Sequence, residues 1–575
     1  MIEELIASRY PFLHLYLQTT DRLELPGKKK DITFQKNFHF DSSQDLDGFF
    51  IYGCGLGEYY KDVRSWLDKK PHRKLVLIEQ DRECLEIFLK TSIAFDVIKH
   101  PQIYLHFIFD PQPKESIIEE LAFTYPFDKF EVYFTDFYQE MEPHLKEDFS
   151  LSLSRRITVI HGAFQEALHY QEIVKNILPN YRFLLESFDP LNLKDKFKGI
   201  PALVCGAGPS LADSCDELHQ LKDKAIIFAG GSSITALNHL GFEPHFCLAF
   251  DPNLTEKDRL KEAFSFETPF IYGNRLHPSI FQLFNHMWGY AKLHAEGPLE
   301  KWMIEQLGLN DENVGQDLTD EALSVTTIAV WLARYLGCYP IIFLGIDLAF
   351  TKNHSYSHGV LDDQRIDLRT LEKESKVGEK LLKLKDVYDQ DIFSLTKWVM
   401  EADVISHISS QYPDCKFINL SKGGIGFKNI PHLSLKELLQ HHSFIQKDIK
   451  GVIHREVLQA FPNGCLANDF IVQKLQSLKH SFPRVKKLLE KASLEIENNK
   501  NLYGGRLFLL EEELEAEPLY KIFLTQIPFL IEPMGPIDSF GLTKEEIDLS
   551  KKTKTYAVFA QIIGELELIF NQFIP

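Results

Sequence analysis

Short apolar runs that end in or near glycine, aspartate or asparagine recur through the middle of this 575-residue chain. They are PALVCGAGPSL at 201–211, AIIFAGG at 225–231, HFCLAFDP at 245–252, PFIYGN at 269–274 and PIIFLGIDLAF at 340–350. Apolar runs of this length between turn residues indicate buried strands. Five of them predict a doubly wound α/β domain, whose ligand crevice lies at the carboxyl ends of the strands.

A second α/β pattern occupies the beginning of the chain. FFIYGCGLGEYYKDVRSWL at 49–67 and KLVLIEQD at 74–81 indicate a strand, a glycine-rich turn, a helix and a second strand. Helical periodicity replaces strands in 151–194 and again after about residue 435. Because one hydrophobic core cannot serve a chain of this length, we expect several domains. The predicted units are a Rossmann-like amino-terminal domain at 1–150, a helical connector at 151–196, a central domain at 197–434 and an α-helical carboxyl-terminal domain at 435–575.

The charge balance limits the partners of the protein. Its 63 Lys and Arg residues face 82 Asp and Glu residues, a net charge of −19. Such a surface repels phosphate backbones, so nucleic acid is not an expected partner. A helix N-terminus or a local basic patch can still hold a single phosphate group, and an anionic nucleotide sugar therefore stays open as a ligand.

Cysteine usage and hydropathy bear on the compartment. The eight cysteines include no CxxC pair and no Cys/His cluster at zinc spacing, which indicates reduced, buried thiols and no metal site. The beginning MIEELIASRYPF is acidic where a secretory signal is basic. Arg334, Gly337 and Pro340 interrupt the longest apolar stretch, so no membrane-spanning helix is predicted. We expect a cytoplasmic protein of undefined oligomeric state.

The turn GAGPSL at 206–211 follows a predicted strand and precedes a predicted helix. Gly206 and Gly208 permit a tight turn there. Pro209 suits the first turn of a helix, and Ser210 supplies a hydroxyl donor. The unpaired N–H groups at the start of the helix can hold a phosphate or a nucleoside edge. The alternative is an ordinary connection between a strand and a helix.

Small polar residues follow the other predicted strands or begin a predicted helix, and together they define a candidate pocket. They are Ser232 in GGSS, Asp251 and Asn253 in FDPN, Asn274 in GNRLHP, Ser324 and Thr326 at the start of SVTTIAVWLARYLG, and Asp347 in GIDLAF. Asp251 can accept hydrogen bonds from sugar hydroxyls or bind a metal, and Asn253 can contact a base. Turn chemistry explains Asp-Pro-Asn equally well, and helix capping explains Ser324 and Thr326.

The loop TKNHSYSHG follows the last of these strands and carries groups that transfer protons near neutral pH. Tyr356 and His358, with Asp347, are the catalytic candidates, and His354 is a weaker one. The glycine and small polar residues around the two histidines favour a solvated loop over a zinc site.

The amino-terminal turn GCGLG at 53–57 is a partial dinucleotide-binding motif, with Glu79 or Asp81 at the end of the next predicted strand. The sixth position of the motif is Glu58 instead of glycine. A dinucleotide or S-adenosylmethionine site is one interpretation of this turn, and a purely structural turn is the other.

Five motifs in order across 197–427 resemble the motility-associated factor (Maf) family of flagellin glycosyltransferases, whose central domain is similar to bacterial sialyltransferases. They are FKGIPALVCGAGPSL, LGFEPHFCLAFDPN, SVTTIAVWLARYLGCYPIIFLGIDLAF, HSYSHG and FINLSKGGIGF. The resemblance implies a sialyltransferase-like, GT-A-like central domain. It also implies transfer of a nonulosonic acid of the sialic, pseudaminic or legionaminic type from a CMP-activated donor to a protein Ser or Thr hydroxyl. In the family the acceptor is flagellin, no cofactor is required, and Mg²⁺ is compatible with the reaction.

The resemblance also assigns residues by position. Gly206, Gly208, Pro209 and Ser210 would hold the nucleotide, and Asp251, Asn253, Asn274, Ser324 and Asp347 would line the donor pocket. The tyrosine that sialyltransferases place two residues after the GID aspartate is Ala349 here, and Tyr356 is the candidate replacement. Two alternatives follow from the same region. One is an ATP- and Mg²⁺-dependent enzyme like the archaeal 6-hydroxymethylpterin diphosphokinases, and the other is a non-catalytic nucleotide-sugar-binding protein.

Overall fold

The structure of the protein is a computed structural model. It describes residues 2–19, 40–41, 43–109, 114–141, 144–184, 186–265, 267–285, 287–293, 296–308, 312–318, 324–361, 365–374, 381–461, 468–499, 502, 504–531 and 543–575. The α/β class predicted from the sequence is confirmed, since two parallel sheets precede a helical region. The domain boundaries stay predictions.

The amino-terminal sheet is parallel throughout and has the strand order β3-β2-β1-β4. The region around this sheet contains α1 (Ile2–Arg9), α2 (Pro11–Thr19), β1 (Gly48–Tyr52), α3 (Tyr60–Leu67), β2 (Lys74–Glu79), α4 (Arg82–Leu89), α5 (Ala94–Lys99), β3 (Ile103–Phe107), α6 (Lys114–Thr124), β4 (Phe130–Phe134) and α7 (Asp136–Met141). Every residue of β1 is buried, because Phe49 and Ile51 belong to one core and Phe50 and Tyr52 to the core on the opposite face. Such a strand is continuously apolar, as the sequence pattern requires.

Two helices, α8 (Leu145–Leu168) and α9 (Tyr170–Leu184), occupy most of the segment predicted as a helical connector, and α8 begins before residue 151. Helix α8 packs against α6 of the amino-terminal sheet and against a helix of the central region. The ion pair between Arg155 and Asp403, 2.6 Å long, joins these regions.

The central sheet has seven parallel strands in the order β13-β10-β5-β6-β7-β8-β9. Its region contains β5 (Ala202–Cys205), α10 (Cys215–Leu221), β6 (Ile226–Gly230), α11 (Ser232–His239), β7 (Phe246–Ala249), α12 (Leu254–Leu260), β8 (Phe270–Tyr272), β9 (Trp288–Tyr290), α13 (Pro298–Leu307), α14 (Val325–Tyr335), β10 (Ile341–Leu344), α15 (Leu368–Glu374), β11 (Leu381–Lys385), β12 (Asp391–Leu395), α16 (Thr396–Gln411) and β13 (Phe417–Asn419). All five predicted strands are present. The three-residue strands β9 and β13 and the antiparallel hairpin β11–β12 were not predicted. No residue of β11 is buried, so this strand lacks the apolar run of a core strand.

The order of the strands creates a switch point between β5 and β10. The chain adds β6, β7, β8 and β9 on one side of β5, and α14 then returns it to form β10 on the other side. Side chains of α14 and α16 share one core with Ala202 and Val204, and side chains of α10, α11 and α12 share another with Leu203 and Cys205. Since neighbouring strand residues face opposite sides, helices cover both faces of the sheet.

Beyond residue 435 the described residues are helical, as predicted. The helices are α17 (Leu435–His441), α18 (Ile449–Gln459), α19 (Asn468–Lys479), α20 (Phe482–Asn499), α21 (Gly505–Glu515), α22 (Ile527–Ile531) and α23 (Lys544–Phe573), with a π-helical turn at Tyr520–Leu524. From α19 onward they form one core together with α9 and α13. Over the part of the chain that is described, none of the helices is apolar for long enough to cross a bilayer.

Candidate functional site

A cavity of about 240 Å³ opens at the carboxyl ends of β5, β6, β7 and β10, at the switch point of the central sheet. Eight of the residues predicted from the sequence line it: Gly206, Gly208, Ser232, Asp251, Ser324, Thr326, Asp347 and Tyr356. Five others are not among its described lining residues: Pro209, Ser210, Asn253, Asn274 and His358. The structure therefore brings eight of the thirteen predicted site residues to one cavity, and their roles stay predictions.

Two larger cavities lie away from this sheet edge. One, of about 520 Å³, is lined mainly by residues of α21, α22, α23 and the π-helical turn. The other, of about 590 Å³, lies at the amino ends of β7, β8 and β9. Ligands of open α/β sheets bind at the carboxyl ends of the strands, so the smaller cavity is the candidate site.

The glycines of GAGPSL are required by packing. A Cβ atom on Gly206 would lie 2.4 Å from the carbonyl oxygen of Gly345, and one on Gly208 would lie 2.6 Å from Cγ of Asp347. The Gly208 N–H donates to the Gly345 carbonyl at 2.8 Å. The turn after β5 is thus pressed against the turn after β10, and this N–H group is not directed at a ligand.

Replacing Gly206 with alanine should cost about 2 kcal/mol of stability, because the added methyl group meets backbone that cannot move aside cheaply. Urea denaturation of the purified chain measures this loss. Gly162→Ala in α8 is the matched control, since no atom lies within 4 Å of its added Cβ. Alanine there should be neutral or stabilising by up to about 1 kcal/mol. Equal effects at both positions would contradict the packing role of Gly206.

Asp347 anchors the same turn from the other side. It is buried, and its carboxylate accepts hydrogen bonds from the Ser210 N–H at 3.0 Å and from the Ser210 hydroxyl. Burial raises the pKa of Asp347, and these two donors oppose the rise. Both groups expected to contact a nucleotide therefore bind each other, although Asp347 still lines the cavity.

The segment FDPN forms a turn, which was the alternative interpretation of Asp-Pro-Asn. The Asp251 carboxylate accepts hydrogen bonds from the backbone N–H of Asn253 at 2.8 Å and from its side-chain amide at 2.6 Å. Asn253 is exposed, whereas Asp251 is half-buried and lines the cavity. Of these two candidates, the structure places only Asp251 where a ligand in the cavity can contact it.

Asn274 lies beneath helix α9. The Asn180 amide donates to the carbonyl oxygens of Asn274 and Leu276 at 2.8 and 2.7 Å, and Asn176 donates to those of Pro252 and Arg275 at 2.8 and 3.1 Å. These bonds fasten α9 across the turns after β7 and β8. The open part of the sheet edge is consequently restricted to the side near β5 and β10.

The two catalytic candidates in the loop after β10 differ in their position relative to the cavity. Tyr356 lines the cavity and is half-buried, whereas His358 is exposed. The ring of His358 lies 6.3 Å from that of His239, and a Cβ atom on Gly359 would collide with the His239 ring. The Ser357 N–H donates to the Ala207 carbonyl at 2.8 Å, which ties this loop to the turn after β5.

Helix α12 brings a cation to one wall of the cavity. Arg259 Nη1 lies 3.2 Å from Oε2 of the buried Glu256 and 3.6 Å from Oδ2 of Asp251. Burial lowers the pKa of Arg259, but Tyr356, Glu256 and Asp251 outweigh it and the pKa is raised. Burial raises the pKa of Glu256, and no described residue donates a hydrogen bond to its Oε1.

Helices α14 and α16 form the opposite wall. Ser324 caps α14 by accepting from the Thr327 N–H at 3.1 Å, and its own hydroxyl donates to Glu401 Oε1 at 2.7 Å. The Thr326 hydroxyl also hydrogen-bonds to Glu401. Burial raises the pKa of Glu401, while these hydroxyl donors lower it. Trp398, one turn before Glu401, completes this wall.

Four lining residues with charged or aromatic side chains were not predicted from the sequence: Glu256, Arg259, Trp398 and Glu401. Glu256 and Arg259 follow FDPN at helical spacing, so a search for charged residues on the next helix could have found them. Trp398 and Glu401 come directly after the unpredicted hairpin β11–β12. No local pattern connects them to residues more than 70 positions earlier in the chain.

The acidic residue Glu79 lies beside the amino-terminal turn GCGLG as expected, but its carboxylate already accepts hydrogen bonds from the protein. Glu79 is buried and accepts hydrogen bonds from the N–H groups of Cys54, Gln80 and Asp81 at 2.9–3.0 Å. The Tyr138 hydroxyl donates to it as well. Burial raises the pKa of Glu79, and these donors oppose the rise.

The rest of that turn is equally closed. A Cβ atom on Gly53 would lie 2.2 Å from the Thr135 hydroxyl, and Asp81 caps α4 through the Cys84 N–H. The geometry therefore favours the structural interpretation of GCGLG over a cofactor site.

Comparisons with known proteins identify similar chains. The sequence profile of a family described as 6-hydroxymethylpterin diphosphokinase MptE-like matches residues 175–353. This match includes the turns after β5, β6, β7 and β10, but ends before Trp398 and Glu401. No curated protein matches the chain.

Among solved structures, the chain is similar to one titled "Structure of MAf glycosyltransferase from Magnetospirillum magneticum AMB-1". The identity is 15%, the TM-score is 0.45, and the alignment covers 92% of this chain and 78% of the other. Both kinds of relative agree with those named from the sequence motifs. Since one fold hosts many activities, function has to be argued from the cavity.

Proposed function

We propose that the protein is a glycosyltransferase that holds a CMP-activated nonulosonic acid in the central cavity and transfers the sugar to a Ser or Thr hydroxyl of a protein. One observation carries this proposal: the cavity lies at the β5–β10 switch point and is lined by hydroxyls, an arginine, a tyrosine and a tryptophan. This is where open α/β sheets bind nucleotides. The order of the five sequence motifs supports the donor class.

The charges that line the cavity favour a donor with few phosphates. Four carboxylates, those of Asp251, Glu256, Asp347 and Glu401, face a single described cation, Arg259. A CMP-linked sugar brings one phosphodiester, whereas ATP brings a triphosphate that these carboxylates would repel more strongly. Mg²⁺ would offset that repulsion, and Asp251 and Glu256 supply the oxygen ligands it prefers.

We assign three chemical roles to the wall formed by α12 and the loop after β10. Arg259 pairs with the phosphate, because a guanidinium binds phosphate oxygens through charge-assisted hydrogen bonds. Tyr356 donates to the departing phosphate in place of the tyrosine that Ala349 replaces. Glu256 accepts the proton of the incoming hydroxyl, because it lines the cavity and no described residue donates a hydrogen bond to its Oε1.

Arg259→Gln should weaken CMP binding by about tenfold to a hundredfold, the range expected for a lost charge-assisted hydrogen bond. Isothermal titration calorimetry with CMP measures the effect. Lys261→Gln is the matched control, because this lysine is exposed and lies just beyond α12. Thermal unfolding of both variants separates lost affinity from lost folding.

The outcomes distinguish the alternatives. Equal CMP affinity of Arg259→Gln and Lys261→Gln would contradict the phosphate role. CMP binding without transfer or hydrolysis of any CMP-nonulosonic acid would favour the non-catalytic nucleotide-sugar-binding protein. Repeating the titrations with Mg²⁺ and with EDTA decides whether a metal takes part.

A second candidate function is supported by the family match over residues 175–353. A 6-hydroxymethylpterin diphosphokinase would transfer diphosphate from ATP to the pterin hydroxymethyl group, with Mg²⁺ between the phosphates. Conversion of 6-hydroxymethylpterin and ATP to the pterin diphosphate and AMP, with no binding of CMP, would establish this function instead. The cytoplasmic location stays a prediction for both candidate functions, and the protein acceptor stays a prediction for glycosyl transfer.

A further inference from the structure

The two walls of the cavity differ in chemistry. Trp398 and Glu401 lie three residues apart on α16, so they are neighbours on one face of that helix, and both line the cavity. Arg259 belongs to α12, which packs on the opposite face of the sheet. A ligand that spans the cavity therefore meets a cation at one wall, and an aromatic ring beside a carboxylate at the other.

Trp398 presents a fixed aromatic surface. Its ring is half-buried and packs against Phe350 with 4.8 Å between centroids and an interplanar angle of 58°. Phe350 is itself buried, and its N–H donates to the Phe393 carbonyl of the hairpin at 2.8 Å. An aromatic ring held in this way can stack against the π-face of a heterocycle.

Glu401 is oriented by hydroxyl groups and retains capacity to accept. Ser324 donates to Oε1 at 2.7 Å, and Thr326 donates a second hydrogen bond. An ionised carboxylate has about four acceptor positions, so two are left for a ligand. The two hydroxyls restrain the carboxylate at the cavity wall, where it can accept from an N–H group.

We propose that Trp398 and Glu401 recognise the heterocycle of the bound ligand, which stacks on Trp398 while an exocyclic amino group donates to Glu401. This inference rests on the proposed function, in which Arg259 holds the phosphate at the opposite wall. Glutamate accepting from the N4 amino group is the pairing that identifies cytosine. Uracil has a carbonyl oxygen at that position, and the carboxylate repels it.

The same chemistry would serve a pterin, whose ring also carries an exocyclic amino group. Recognition of an amino-bearing ring is therefore common to both candidate functions. Trp398 and Glu401 lie beyond residue 353, where the family match ends, so this recognition is a property of the chain outside that match.

The test is calorimetry on the full chain with CMP, UMP and 6-hydroxymethylpterin. The wild type should prefer CMP to UMP by about tenfold, as one good base contact provides. In Glu401→Gln the side-chain amide can donate as well as accept. This variant should therefore still bind CMP, but with about the same affinity as UMP. Glu262→Gln, an exposed carboxylate just beyond α12, is the control and should keep the preference.

Tryptophan fluorescence supplies an independent measurement. Of the five tryptophans, Trp398 is the one that lines the cavity. CMP should quench the emission of the wild type and of Trp302→Phe, but not that of Trp398→Phe. Quenching that persists in Trp398→Phe would contradict stacking on this ring.

The results separate this inference from the proposed function. If the wild type binds CMP and UMP equally, or Glu401→Gln keeps the preference, the recognition role of Glu401 is wrong and nucleotide binding stands. If the wild type binds no nucleotide but binds the pterin, the proposed glycosyl transfer is wrong. In that case, weaker pterin binding by Glu401→Gln than by the wild type would still support Glu401 as the acceptor for the ring amino group.

Discussion

Replacing Glu79 with alanine should destabilise the amino-terminal sheet by about 4 kcal/mol, because four donors lose their acceptor together. Three are the backbone N–H groups of Cys54, Gln80 and Asp81, and the fourth is the Tyr138 hydroxyl. Each buried donor left without a partner costs about 1–3 kcal/mol, and partial access of water reduces the sum. The loss should appear as faster hydrogen exchange of β1 and β2 and as an early urea transition.

Two comparisons make this prediction specific. Glu83→Ala removes an exposed carboxylate from the following helix and should change stability by less than about 0.5 kcal/mol. Titration of the wild type with S-adenosylmethionine should show no binding, since the acidic side chain expected to bind ribose is already engaged. Tight binding of that cofactor, or a Glu79→Ala protein as stable as Glu83→Ala, would contradict the structural role.

Asp347→Ala should destabilise the central sheet by about 3 kcal/mol, since it leaves the N–H and the hydroxyl of the buried Ser210 without their acceptor. Hydrogen exchange at β5 and β10 reports this loss directly, because Asp347 joins the turns that follow these two strands. Any fall in ligand affinity should accompany the loss of folding.

Asp347→Asn is the control for charge. Its amide oxygen can accept from the Ser210 N–H, and the Ser210 hydroxyl can turn to accept from the amide nitrogen. We expect a loss of about 1 kcal/mol, well below that of Asp347→Ala. If both variants remain fully stable but lose CMP affinity, Asp347 acts on the ligand as the resemblance implied, and its anchoring role is secondary.

The candidate site was only partly predictable. The residues found from the sequence stand directly after predicted strands, as Ser232 and Asp251 do, and the ends of parallel strands meet by construction of the sheet. Asn274 also follows a strand, yet α9 covers it through Asn180. A strand-end pattern contains no information about which helix crosses that edge.

Glycine-rich turns show the same limitation. Gly206 and Gly53 both follow a first strand, and both turns were open to interpretation as phosphate or cofactor sites. In each, the space that a side chain would fill is taken by protein, namely the Gly345 carbonyl and the Thr135 hydroxyl. The sequence indicated that these turns need glycine, but it did not show that neighbouring protein atoms occupy the space of a side chain.

The strand and helix patterns were sufficient to predict the α/β class and the helical region after residue 435. Strand and helix periodicity are local properties, and burial on both faces of a parallel sheet makes its strands continuously apolar. Which polar groups contact each other became apparent only from the folded chain. Ser210 and Asp347 are 137 positions apart, and Ser324 and Glu401 are 77 apart. Such contacts depend on the order of strands and on the path of the connecting helices, because these bring distant segments within hydrogen-bonding distance.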